Sequence, residues 1–303
     1  MRAVVTGAAG FIGSHLVDAL VARGATVVAI DRRPVATPPG GRALRADLSA
    51  RAGEGALEAA LARADAVFHL AGFPGVRDAS PDAARRRVAD NVVATARVLA
   101  ATPLDVPVVV TSSSSVYGGA RAGRASRETD APRPLGGYAR SKAAAEALCR
   151  RRAERGGAVA VARPFTVAGE GQRPDMALAR WIEAVRLGRP VRILGSAERT
   201  RDVTDVRDVV EGLVRIAERR VQATVNLGTG TPCTLGAMVA CVAAALGRPA
   251  DVVVEPAPEG EPAATRACTE RCRALLGFAP RTDLAAVVER QAAAAFERAL
   301  EPA

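Results

Sequence analysis

Residues 3–6, Ala-Val-Val-Thr, run without a break into Gly7-Ala8-Ala9-Gly10-Phe11-Ile12-Gly13, and a helical pattern starts at once. A β-rich run that turns through small residues into a helix leaves few architectures open. Small residues let the backbone approach a pyrophosphate, and the helix N-terminus faces that negative charge with free N–H groups. A second strand, Thr26 to Ile30, ends at Asp31, eighteen residues after Gly13. That spacing suits a carboxylate that meets the ribose hydroxyls of a dinucleotide. Asp31 accepts hydrogen bonds from such hydroxyls and repels a 2′-phosphate, which favours NAD. Arg32 and Arg33 come next and offer the opposite reading, a grip on that phosphate; in this arginine-biased chain we read them as surface residues.

The alternation continues. Strands are expected over 66–68, 106–110 and 158–162, and helices over 11–22, 82–101 and 138–155. Another strand precedes Asp47, which is placed to contact the adenine. Apolar strands separated by helices predict an α/β fold with a doubly wound parallel sheet. The second half is less regular, with helices expected over 176–187, 206–217, 234–246 and 284–300 and strands over 224–227 and 251–254. There is no internal repeat and no flexible linker, so a second, smaller domain is expected to grow out of the first.

Composition narrows the function. The net charge is +10, yet the basic residues are scattered and only 3% of the chain is aromatic, which leaves no stacking platform for nucleic acid. Five cysteines without a C-x-x-C pair and two distant histidines, His15 and His69, argue against a disulfide scaffold and against a metal site. With no long apolar run and no leader pattern at the start, the expectation is a soluble cytoplasmic protein.

Lys142 is the only lysine; every other basic residue among the 42 is arginine. It lies four residues after Tyr138, one of two tyrosines, in Tyr138-Ala139-Arg140-Ser141-Lys142. On a helix the two share a face. A tyrosine serves as a base only if its pKa falls from about 10. One positive charge at about 5 Å, at an effective dielectric of about 20, contributes about 3 kcal/mol, a little over two pKa units. Lys142, helped by the cationic ring of oxidised nicotinamide, is therefore expected to lower Tyr138. Upstream, the apolar strand ending at Val110 leads into Thr111-Ser112-Ser113-Ser114-Ser115-Val116-Tyr117-Gly118, hydroxyls at the end of a parallel strand where α/β ligand sites form.

Together these segments resemble the extended short-chain dehydrogenase/reductase family, in its NAD-dependent sugar-nucleotide epimerase/dehydratase group. The likeness runs from TGAAGFIGSHL at the start through HLAGFPGVR (69–77), SSSSVYG (112–118), YARSK (138–142), RPFTVAGEGQRPDMA (163–177), RDVTDVRDVVEGL (201–213) and NLGTG (226–230) to LLGFAPRTDL (275–284). It implies a Rossmann domain over 1–165 and 202–228 and a smaller C-terminal sugar-nucleotide domain over 166–201 and 229–303. It implies a triad of Ser113, Tyr138 as base and Lys142, with Asn91 in support. NAD would contact Gly7, Gly10, Phe11, Ile12, Gly13, Asp31, Asp47, Leu48, Leu70 and Ala71 besides Tyr138 and Lys142. A UDP-sugar would meet Arg77, Ser114, Ser115 and Thr166, with Arg173 and Arg201 toward its phosphates and Glu261 toward a ribose. Dehydratases and decarboxylases of this group carry an acid in the loop before VYG; Ser114 and Ser115 stand there instead, which points to carbon-4 epimerisation. SSSSVYG, Thr166 and QRPDMA are most similar to UDP-glucuronate 4-epimerases, while Ala168, Cys268 and the 263–265 loop depart from the pattern. The competing expectations are a neutral UDP-sugar, a ketoreductase using exchangeable NADPH, a decarboxylase and a non-catalytic protein on the same fold. The family resemblance also implies a homodimer through helices near 82–101 and 138–155.

Overall fold

The computed structural model describes residues 1–50, 54–74, 80–121, 123–258 and 260–300, with side chains described to residue 297. The seven-stranded sheet is parallel throughout. β1 (Arg2–Thr6) lies inside it, between β2 (Thr26–Asp31) and β4 (Ala66–His69). β3 (Arg42–Arg45) extends the sheet beyond β2. On the other side follow β5 (Val108–Thr111), β6 (Val159–Pro164) and, after a long excursion, the strand Thr224–Leu227. The order therefore reverses between β1 and β4, where an open α/β sheet forms its ligand crevice at the carboxyl ends of the strands. Thr6 pairs with His69, and Thr111 with Ala162, so the strand ends that carry the site come out level.

β4, β5 and β6 are buried along their whole length, which explains their unbroken apolar sequences. Helices Phe11–Ala22 and Val206–Glu218 cover one face through Leu16, Leu20, Val209 and Leu213. Val98 and Leu99 of helix Ala94–Ala101 and Cys149 of helix Gly136–Glu154 pack on the other. Each such aliphatic side chain, fully buried, contributes about 1.5–3 kcal/mol.

A separate core lies beyond the sheet, in segments that leave it twice. Helix Ala177–Arg186 and strand Val191–Leu194 follow β6; helix Leu235–Leu246, strand Val252–Glu255 and terminal helix Leu284–Leu300 follow Thr224–Leu227. Leu178, Trp181, Ile182, Met238, Val242, Val287 and Val288 pack together there, and the two strands pair in parallel.

One element departs from expectation. The helix read over 82–101 is interrupted by a π-helical turn, Val88–Val93, between Ala83–Arg87 and Ala94–Ala101. The turn buries Asp90 and Asn91 toward the crevice. A single widened turn leaves the apolar periodicity nearly intact, so the sequence pattern does not reveal it.

Candidate active site

Gly7 has φ +73°, and a side chain there would meet the backbone nitrogen of Ala71 at 2.6 Å. A Cβ on Gly13 would lie 2.1 Å from the Gly7 carbonyl oxygen. Strand, turn and helix are thus in backbone contact, and only glycine fits at either place. Gly10 precedes the first residue of the helix and no side chain caps it, which leaves N–H groups facing outward. Phe11 and Ile12 pack against the sheet core. The Asp31 carboxylate accepts from the Ala9 amide at 3.0 Å and from the Arg33 amide at 3.0 Å, which fixes it beside the turn. Arg32 is ion-paired with Asp90, and Arg33 donates to the Ala9 carbonyl, so both arginines are already engaged. Asp47 accepts from the amide and hydroxyl of Ser49, and Leu48 beside it is buried. Leu70 and Ala71 donate to Thr6 at the rim. A narrow backbone cradle ending in a carboxylate is a fit for a dinucleotide.

Helix Gly136–Glu154 starts at the crevice and carries Tyr138 and Lys142 one turn apart. Lys142 is buried, and its ammonium donates to the Thr111 carbonyl at the end of β5 at 2.9 Å. Ser113 caps a 3-10 turn, Ser114–Tyr117; its oxygen accepts from the Ser115 amide at 3.1 Å, and its hydroxyl lies near enough to Tyr138 to act on the phenol. The three proposed triad members are thereby brought together. Asn91 bridges from the π turn: it accepts from the Phe73 amide at 2.7 Å and donates to the Ser141 hydroxyl at 2.8 Å, and Ser141 donates to the Tyr138 carbonyl.

The electrostatics correct one expectation. Burial pushes Tyr138 above the usual phenol value, opposed by the Ser113 hydrogen bond and the Arg173 charge. Lys142 itself is pushed down to about 8 by burial, against the pull of Glu146. The expected lowering of Tyr138 by Lys142 does not appear: burial is the largest influence on the phenol and raises it, and the Lys142 ammonium is committed to Thr111. The other tyrosine, Tyr117, is pushed up to about 12 by burial and is held by Arg163 and Asn226, so it has no role as a base.

At the end of β5 and in the turn after it, the hydroxyls of Thr111 and Ser115 are buried without a protein partner. A buried hydroxyl left unpaired in a crevice is a place for a ligand to bond. Ser114 and Thr166 are half-buried nearby in sequence to the Ser113 turn and to β6. Arg201 is ion-paired with Glu261 at 2.7 Å, which unites two residues sixty positions apart. Arg173 is held by Asp175 at 2.6 Å and acts electrostatically on Tyr138, nearer the triad than a purely phosphate-facing role requires. Arg77 lies outside the described residues.

Sequence reasoning missed two buried polar clusters. His69 accepts from Thr6 at 2.7 Å and meets Thr95 at 3.0 Å, while Thr95 donates to the Asn91 carbonyl. With Thr95 donating onward, His69 donates through Nε2 and accepts through Nδ1, so it is the neutral imidazole; burial and the Lys142 charge push it down to about 3. The second cluster joins Glu146 to Arg163, Ser112, Tyr117 and Asn226. Its signal was present: Arg163 is the one charged residue in the otherwise apolar strand VAVARP. Among the described residues no cluster of metal-ligating side chains forms, and no helix is long and apolar enough to cross a membrane.

Known proteins share this fold. Residues 3–228 match the NAD dependent epimerase/dehydratase family. A probable UDP-glucuronate 4-epimerase of Rhizobium meliloti is 32% identical over 96% of this chain and 95% of its own length. MoeE5, solved in complex with UDP-glucose and NAD and with UDP-glucuronic acid and NAD, is 39% identical with a TM-score of 0.89, covering 99% of this chain and 100% of MoeE5. The UDP-glucuronic acid 4-epimerase of Bacillus cereus, in complex with UDP-glucuronic acid and NAD, is 30% identical with a TM-score of 0.89, covering 98% of this chain and 100% of that one.

Proposed function

Since this chain belongs to the NAD dependent epimerase/dehydratase family, we propose that it inverts carbon 4 of a UDP-sugar and that its substrate pair is UDP-glucuronate and UDP-galacturonate. The observation that carries this reading is the buried, unpartnered Ser115 hydroxyl two residues from the Ser113–Tyr138 contact. The turn 7–13, Asp31 and Lys142 are the residues that would hold NAD, which when bound takes a hydride from the sugar and gives it back. Tyr138 removes the proton of the 4-hydroxyl while Ser113 hydrogen-bonds the same region, and the Lys142 charge offsets the phenolate. The 4-keto sugar turns over in the cleft, and Tyr138 returns the proton to the re-formed alcohol.

A 4-keto glucuronate is a β-keto acid and loses carbon dioxide when its scissile bond aligns with the carbonyl π system. Ser114, Ser115 and Thr166 hold the carboxylate away from that alignment. With serines at 114 and 115 rather than an acid, no side chain there moves the second proton that elimination needs. Arg201, Glu261 and Arg77 serve the nucleotide, and Arg173 adds positive charge between the phosphates and Tyr138. The sugar-nucleotide domain of 166–201 and 229–303 closes over a Rossmann domain of 1–165 and 202–228, an assignment favoured by the separate apolar core of those outer segments. In this reading the protein is cytoplasmic and pairs with a second copy through helices 83–101 and 136–154, where Val88 and Val93 are exposed.

Hydrogen bonds to a charged group contribute about 1.5–3 kcal/mol each, roughly tenfold to a hundredfold in specificity. The test compares kcat/KM for UDP-glucuronate, UDP-glucose and UDP-N-acetylglucosamine, with products identified by NMR. The acid is expected to lead by at least about tenfold, and Ser115→Ala to narrow that lead. The UDP-glucose complex of MoeE5 favours a second reading, a neutral hexose as substrate. Equal turnover of acid and neutral sugar would establish that second reading. A pentose or a 4-keto-6-deoxy sugar as main product would overturn carbon-4 epimerisation itself.

A further inference from the structure

Glu146 lies one turn beyond Lys142 on the helix that carries Tyr138, and both it and its partner Arg163 are almost fully buried. The Arg163 guanidinium grips the carboxylate twice, Nε to Oε1 at 2.9 Å and Nη2 to Oε2 at 2.6 Å. The Ser112 hydroxyl donates to the same Oε1 at 2.6 Å. Arg163 also donates to the Tyr117 hydroxyl at 2.8 Å, with its guanidinium 4.7 Å from the Tyr117 ring centre, and Tyr117 donates to Asn226 at 2.6 Å. One carboxylate thus ties the Tyr138–Lys142 helix to β6 and to both ends of the turn that presents Ser113, while Asn226 adds the strand Thr224–Leu227.

A pair buried this deeply is a weak source of stability, since desolvating two charges offsets most of their attraction. What it supplies here is register. Ser112 is bonded to Ser113, so any slide of the helix along β5 and β6 that would part Tyr138 from Ser113 also breaks three charge-assisted bonds.

We propose that Glu146 is a positioning residue of the active site, acting through Ser112 on Ser113 and through its charge on Lys142. The inference rests on the triad reading of Ser113, Tyr138 and Lys142. The charges around Lys142 are countable. His69 on β4 is pushed down to about 3 and stays neutral; the Cys149 thiol on the same helix is pushed up to about 12 and stays neutral. Tyr138 is raised, and Asp90 of the π turn is bonded to Arg32. Arg163 on β6 is paired with Glu146, and Glu146 raises Lys142 against its burial.

The test is the Glu146→Gln variant as holoenzyme, assayed for carbon-4 epimerisation with UDP-glucuronate and UDP-glucose across pH, beside wild type, Tyr138→Phe and Lys142→Arg. Removing the anion lowers the Lys142 pKa, so the alkaline limb of kcat is expected to move down by about one pH unit. At pH 8 kcat is expected to fall about tenfold with KM within about twofold, the pattern of a lost transition-state arrangement. Glu146→Asp keeps the charge and loses the bidentate grip, so its limb stays in place while kcat stays low. A folded Glu146→Gln protein with the wild-type profile and kcat would overturn the proposal. Should that variant fail to fold, Ser112→Ala decides, because it leaves the ion pair intact: a lower kcat with an unmoved limb supports the link to Ser113, and wild-type kcat overturns it. Full turnover by Tyr138→Phe and Lys142→Arg would instead remove the triad reading, a result separable from any of these.

Discussion

At the phosphate turn, seven consecutive residues make a cradle almost entirely of backbone, with Gly13 and Gly7 in contact closer than any side chain allows. The residues proposed to meet the substrate, Ser113, Tyr138, Arg173 and the Arg201–Glu261 pair, come from separate parts of the chain and present side chains. The first arrangement is local and tolerates no added atom inside it. The second depends on long-range register, and it is there that the buried Glu146–Arg163 pair is found. The difference teaches that a cofactor end can be specified by a short string, whereas a substrate end must be held by its surroundings.

The largest effect is expected at the side-chain end. Tyr138→Phe deletes the proposed base and should lower kcat by about 10²–10⁴-fold while the fold and cofactor content persist. Lys142→Arg keeps the charge but not the compact donor at Thr111, and should lose most activity as well. Stopped assays on the two purified variants, with NAD content read by absorbance after denaturation, check both. Near-normal turnover would break the contrast, since neither end would then depend on a particular side chain.

The backbone end is attacked by a single methyl. Gly13→Ala puts a carbon 2.1 Å from the Gly7 oxygen, so strand and helix must part. The expected cost is about 1–3 kcal/mol of stability, with NAD co-purifying poorly. A thermal melt unchanged from wild type, with full NAD content, would show that the cradle yields more easily than its geometry implies.

His69 links the two ends, joining Thr6 below the turn to Thr95 and so to Asn91. Its folded pKa lies below its unfolded value, so the unfolded chain binds the extra proton first. Stability is whole above about pH 6.5 and is lost as pH falls toward 3, by about 2 kcal/mol at pH 5. Urea titrations at pH 7, 6 and 5 should show this slope, and His69→Gln should flatten it. An equal slope in the variant would assign acid sensitivity to other groups.

The smallest effect concerns the choice of cofactor. Wild type is expected to bind NAD more tightly than NADP, because the Asp31 carboxylate is fixed beside the turn, where it would repel a 2′-phosphate, and Arg32 is engaged by Asp90. Asp90→Asn frees Arg32, and the preference should narrow by about fivefold, the equivalent of about 1 kcal/mol for a partly exposed pair. Fluorescence titration with both cofactors checks it. NADP bound tenfold more tightly by wild type would return Arg32 and Arg33 to the role of phosphate ligands.

The fold was legible because its signals are contiguous: apolar strands, the turn 7–13 and Asp31 need no knowledge of distant residues. Tyr138 and Lys142 were legible through scarcity, since an arginine-rich chain that keeps one lysine marks the place where shape matters as well as charge. The sign of the Tyr138 shift was not legible, because it is set by burial, which no spacing reports. The π turn at Asn91 escaped because one widened turn barely disturbs helical periodicity. Glu146 escaped because its partner lies on another element, although a lone arginine inside an apolar strand announces that some carboxylate must be near.

The solitary lysine has a practical corollary. Amine-directed reagents meet only one side chain in this protein, and that side chain sits at the end of β5 with a pKa near 8 rather than 10.5. Such an amine is substantially unprotonated in mildly alkaline buffer, while burial restricts the reagent that reaches it. Reductive methylation with small aldehydes would therefore place a spectroscopic label inside the crevice with no engineering of the chain.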